Sequence, residues 1–162
     1  MPAPNATPSL WDFALSFYAK LQMAETCLDL QDTYGCNVCL LIGLGWMDTR
    51  SKFLSGSDLA NLESYIQTWT QQVVEPLRTL RRLLKQPIAT YGQDDAQAQL
   101  RSLIKDAELL AEKKLLAEIE LWLTTFSVTQ ESNVNSNIER YLLKLGAPTN
   151  SIKLIQKNFI HQ

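Results

Sequence analysis

A chain of 162 residues, 46% apolar and 20% charged, has the size and composition of one folded domain and not of a disordered segment. Fifteen Lys and Arg stand against seventeen Asp and Glu, a net charge of −2, so bulk attraction to nucleic acid or an anionic membrane is not expected. Three cysteines, an odd number, suit a reducing cytoplasm better than an export route, and a core of this size needs neither metal nor disulfide.

The N-terminal "MPAPNATPSLWDF" has neither the basic start nor the apolar run of a secretory signal, so residues 1–8 read as a short extended tail. No segment alternates apolar and polar as a half-buried strand does, and the reading is helical throughout. The first helix starts at Ser9, where "SLWD" sets a hydroxyl three residues before a carboxylate, as in a capping box. The second runs from about Met23 to Tyr34, with Gly35 as its left-handed C-cap. The third follows the N-cap Asn37 and reads "VCLLIGLGWM". Apolar on every side, it is expected to be the buried central helix. Its ten residues are too short to span a bilayer. Gly43 and Gly45 cost about 1 kcal/mol each in helix propensity, and a close approach of neighbouring helices would explain them.

"DTRSKFLSGS" reads as a loop ending on Ser57 as the next N-cap. Leu59, Leu62, Tyr65, Ile66, Trp69, Val73, Leu77, Leu80 and Leu84 then keep helical steps through Pro76. This predicts one helix from Asp58 to Lys85, kinked at the proline. Asp94 or Asp95 caps a fifth helix reaching roughly Phe126, with Ala111 to Lys114 as the place where it would break. A polar connector, "SVTQESNVNSN", leads to short helices at Ile138 to Leu145, stopped by Gly146, and at about Asn150 to Phe159. The fold class is therefore an all-α, single-domain bundle over residues 9–162. It has six to seven helices, with the third central and helices one, two, four and five around it.

Arg78, Arg81, Arg82 and Lys85 stand at i, i+3, i+4 and i+7, which gathers four cations into a sector of about 100° on the fourth helix. Such a face suits phosphates or an acidic protein partner, or it is a solvated helix end. Glu25, Asp29 and Asp32 form an acidic stripe on the second helix. It would be a solvated face, or serve as counter-charge to the arginines or, far less readily, hold Mg²⁺. Cys36 and Cys39 make a C-x-x-C at a helix start, where thiolates are favoured. No strand–helix pattern surrounds them, and Cys27 supplies only a third ligand for zinc, so small core residues are the expectation. One histidine, His161, leaves no material for the usual triads. Neither phosphate-binding glycine motif is present. The four tryptophans lie on apolar faces, unlike the exposed stacking aromatics of single-strand binders.

"LWDFALSFYA", then "CLDLQDTYGCNV", an apolar helix ending in Trp46, and "VVEPLRTLRRLLK" occur in that order. As a set, over residues 9–86, they resemble an uncharacterised family of proteobacterial proteins of about this length, classed as a domain of unknown function. The sequence departs from the family pattern at Cys39, where a polar Asn is usual, and at Gly43 and Gly45, where bulkier apolar residues are. The resemblance implies a cytoplasmic bacterial protein and brings no activity, cofactor or catalytic residue. It assigns nothing to the more variable helices from residue 94 onward. Together these readings favour a non-enzymatic protein-interaction module using the basic face of residues 58–85, without cofactor or metal. The alternative is a small enzyme or binding protein for an anionic, phosphorylated small molecule held between helices two and four. A DNA-binding regulator ranks third, since no helix-turn-helix signal is present.

Overall fold

A computed structural model of the chain describes residues 8–86, 91, 94–125 and 135–160. Every regular element among the described residues is helical. In order they are α1 (Leu10–Tyr18), α2 (Met23–Tyr34), α3 (Val38–Asp48), α4 (Gly56–Trp69), a π-helical turn (Thr70–Val74), α5 (Glu75–Leu83), α6 (Asp95–Thr125), α7 (Asn137–Lys144) and α8 (Thr149–Ile160). Helical backbone runs unbroken from Gly56 to Leu83, so α4, the π-turn and α5 form one continuous helix, and seven such units make an all-α bundle. No helix among the described residues is long and apolar enough to cross a membrane.

The helix ends follow local chemistry. Ser9 and Asn37 cap α1 and α3 by accepting the backbone N–H three residues on. Gly35 closes α2 at φ 67° and Gly146 follows α7 at φ 77°, conformations that suit a residue without Cβ. Asp94, not Asp95, caps α6, its carboxylate accepting the Gln97 N–H at 2.8 Å. The N-cap of α4 is Ser55, two residues before the expected Ser57. Ser55 and Asp58 form a full reciprocal capping box, whereas three residues after Ser57 stands Ala60, which has no carboxylate to return the bond.

Residues 38–47 are all buried, so α3 is the centre of the bundle as its sequence requires. Its packing partners are α1, α6, α7 and α8. Helix α2 packs on α1 and α8, and α4 packs on α6, so the C-terminal helices take the flanks of α3 that the sequence reading gave to helices two and four. Ile138, Tyr141, Leu142, Ile152, Ile155 and Phe159 belong to the same buried cluster as α3. The glycines of α3 are sites of close approach. A Cβ on Gly43 would lie 2.6 Å from Ile119 Cγ2 of α6, and one on Gly45 would lie 2.5 Å from the Phe159 ring of α8. That ring stacks on Phe17 at 4.3 Å and on Phe13 at 5.6 Å, so it has little freedom to retreat.

The π-turn resolves the proline. At Glu75 the backbone N–H bonds to the Thr70 carbonyl, five residues back. One extra residue is thereby taken into the turn before Pro76, where an α-register would set the pyrrolidine against the Gln72 carbonyl. The insertion also moves the buried position. Val74 is buried and Val73 only partly so, although the helical steps had pointed to Val73. Helix α6 does not break at Ala111 to Lys114; Ala111 and Leu115 enter the core there. Phe126, His161 and most of the polar connector lie outside the described residues.

Candidate functional site

Helix α5 runs antiparallel to the N-terminal half of α6, and this hairpin carries the basic stripe. Arg78 donates from Nε to Glu108 Oε1 at 3.3 Å and from Nη2 to Glu112 Oε1 at 2.9 Å. Arg81 holds Glu108 from the other side through Nε and Nη2, and its own carbonyl accepts from Arg101 Nε. The Glu108 side chain is only 8% exposed, so two guanidinium groups clamp one buried carboxylate. Bonding to Glu108 pushes the Arg81 pKa up. Burial raises the carboxyl of Glu112 against the pull of Arg78. Arg78, Arg81, Glu108 and Glu112 sum to no net charge.

Arg82 points to the other side and meets Asp32 of α2 at 2.5 Å, both side chains 44% exposed. Lys85 is exposed and forms no ion pair among the described residues. Of the three acids expected to face the arginines, Asp32 alone does so. Asp29 accepts from Thr33 Oγ1 of its own helix at 3.2 Å, and with Glu25 it lines a shallow recess against Asn150 and Ser151 at the start of α8. Glu108 and Glu112 supply the remaining counter-charge. In the sequence they sit within the charged run "DAELLAEKK"; the packing of α5 on α6 buries Glu108 and half-buries Glu112.

Between α2, the start of α3 and α5 lies a groove of about 540 Å³ lined by Asp32, Asn37, Thr70, Glu75, Arg78 and Arg82, among others. Cys36 and Cys39 also border it, yet all three cysteines are buried and free. Burial pushes the Cys27 and Cys36 thiols up to about 12 and raises Cys39 further, the reverse of what an exposed helix N-terminus does to a thiol. Among the described residues no group of three or more His, Cys, Asp or Glu is arranged to hold a metal ion.

The other flank of the hairpin is apolar and open. Leu80 and Leu83 of α5 are 41% and 63% exposed; Leu100, Leu103 and Leu110 of α6 are 48%, 66% and 66% exposed. At 100° per residue, both sets lie about 40–120° to the same hand of the contact face, so they share one side of the hairpin. Arg78, Arg82 and Glu112 fall on the opposite side.

A second polar cluster was hidden in the connector. Asn137 is buried and joins α7 to the end of α3. It donates from Nδ2 to Asp48 Oδ1 and to the Lys52 carbonyl, each at 2.8 Å, and accepts from the Leu54 N–H at 2.8 Å. Asp48 also accepts the backbone N–H groups of Asn137 and Ile138, the first turn of α7. Burial lifts its carboxyl to about 6 even against those hydrogen bonds.

A seven-helix α-bundle with an internally neutralised arginine cluster defines a class of architecture, not an activity. Residues 9–119 match the family model described as "Protein of unknown function (DUF2390)", and the chain belongs to that family. The match continues past residue 86 and takes in most of α6, including Glu108 and Glu112. No curated protein and no solved structure matches the chain significantly.

Proposed function

We propose that this chain is a protein-interaction module whose contact surface is the α5–α6 hairpin. The observation that carries the reading is the row of five leucines, 41–66% exposed, on one side of it. Five large aliphatic side chains clustered on one surface are costly to leave in water, and a contiguous apolar patch of this kind is the mark of a surface that is covered in use. The occupant with the matching shape is an amphipathic helix laid along the groove between α5 and α6, its apolar residues spaced by three and four. The basic stripe contributes less than its sequence promises, because Arg78 and Arg81 spend their charge inside the hairpin. Arg82 and Lys85 lie on the opposite side of the hairpin from the leucines, so the bound helix would be held by its apolar residues.

The test is a capture from the native cell extract with the parent chain and with a Leu83→Asp/Leu103→Asp double variant, both shown folded by circular dichroism. One partner recovered with the parent, lost with the variant, and rebinding the purified parent is the expected result. Unchanged recovery with the variant rejects the hairpin as the contact. Sedimentation of each protein alone separates a foreign partner from a second copy of this chain. The alternative of an anionic ligand rests on the groove lined by Arg78 and Arg82. Asp32 and Glu75 share that lining and Arg82 is already paired with Asp32, which makes it the weaker reading.

A further inference from the structure

We propose that the cavity at the C-terminal end of α3, facing α7 and α8, binds a small apolar carboxylate, an aromatic or short acyl acid held by Arg50. The proposal is independent of the hairpin. The cavity measures about 570 Å³, the size of a small-molecule site. Its walls are apolar where Phe13, Trp46, Ile138 and Phe159 meet.

Of the charged groups on its lining, all but one are committed. Asp48 is occupied by the amides and side chain of α7's first turn. Ser136 caps α7 and accepts from Gln156 Nε2 at 2.9 Å. Arg50 is the exception. Its guanidinium lies 3.5 Å over the Trp46 ring and Nη1 donates to the Trp46 carbonyl at 3.2 Å. It has no carboxylate within ion-pair distance among the described residues, and Glu120 acts on it only from further away. A guanidinium seated over an aromatic ring still has N–H groups to offer a carboxylate.

A second observation comes from Trp46. Its Nε1 is buried and has no hydrogen-bond partner among the described residues, and an orphaned buried donor of this kind calls for an acceptor. It is closed to solvent, so an acceptor reaches it only with a shift of the side chains around it. The apolar walls select a ring or short chain, Arg50 selects the negative head, and Asp48, already surrounded by donors, adds little repulsion.

The full chain is titrated with phenylacetate, hexanoate, 2-phenylethanol and phenethylamine by calorimetry, and the Trp46 indole N–H is followed by NMR. One of the acids is expected to bind saturably, with a preference of about tenfold or more over the alcohol and the amine, and to move the indole resonance. Arg50→Gln, with its fold checked by circular dichroism, should lose that preference, and Arg50→Lys should keep part of it. Equal binding of acid and alcohol overturns the proposal, as does acid binding unchanged in Arg50→Gln. So does the lack of saturation by either acid at about 10 mM, where even a site with a Kd near 1 mM is filled.

Discussion

Gly45 has no room for a methyl group. The Cβ of alanine would lie 2.5 Å from the Phe159 ring, which is itself stacked on Phe13 and Phe17. Overpacking costs about 1–3 kcal/mol and the gain in helix propensity returns about 1, so Gly45→Ala should lose up to about 2 kcal/mol in urea unfolding. Gly56→Ala, at a helix start with nothing within 4 Å, should be neutral or slightly stabilising in the same experiment. At the C-terminal end of α3, Asp48 has its carboxyl raised to about 6, chiefly by burial. The folded chain therefore binds this proton more tightly than the unfolded chain. The stability that Asp48 lends through that linkage is fully present below about pH 4 and is lost as pH rises through about 6. An NMR titration of the Asp48 carboxyl should give a midpoint near 6, and a midpoint near 4 would reject the assignment. At neutral pH, Asp48→Asn still should not stabilise, because its amide would turn a donor toward the Asn137 or Ile138 N–H.

At the scale of elements, the pairing of α5 with α6 rests on Glu108. Removing its charge leaves Arg78 and Arg81 facing a neutral amide in a partly buried site. Glu108→Gln should cost about 2–3 kcal/mol, below the full value for a deeply buried pair because the arginines stay 17% and 23% exposed. The Arg82–Asp32 pair is half exposed, and Arg82→Gln should cost under about 1 kcal/mol. Chemical unfolding of the two variants, side by side, decides whether the basic stripe is mainly internal. Helix existence was legible because caps and apolar steps are local: Asn37, Gly35 and the all-apolar run of α3 each speak for themselves. Glu108 was not legible, since its burial depends on which helix lies across it, and its partners Arg81 and Arg78 stand 27 and 30 residues back in the chain. Asn137 was misread for the same reason, as its partners Asp48, Lys52 and Leu54 are remote in the chain. The shift from Val73 to Val74 escaped because an inserted residue leaves step counts of three and four almost as plausible as before.

Across the whole molecule, burial is uneven. The main cluster of buried side chains draws on α1, α2, α3, α4, α7, α8 and the C-terminal half of α6, while α5 contributes no buried residue. Leu84 and Ile104 are buried apart from that cluster. The hairpin should therefore open at lower free energy than the centre. Native-state hydrogen exchange is expected to show amides 78–84 and 100–104 exchanging well before those of 40–47, and Glu108→Gln should widen the gap. Equal protection in the two regions would show that the chain opens as one unit. A partner helix seated on the leucines would slow the same amides, so the measurement also reports binding.

The π-turn makes the helix tolerant of a change in chain length at one place. Its five residues accommodate one more than an α-turn would, so losing Gln72, together with Pro76→Ala to spare the restored α-register, should leave Arg78 and Arg81 opposite Glu108. Losing Thr79 instead would turn every later residue by about 100° and carry Arg81 off Glu108. Two deletions of equal size, seven positions apart, should thus have opposite fates, and the thermal midpoints of the two shortened chains would tell them apart.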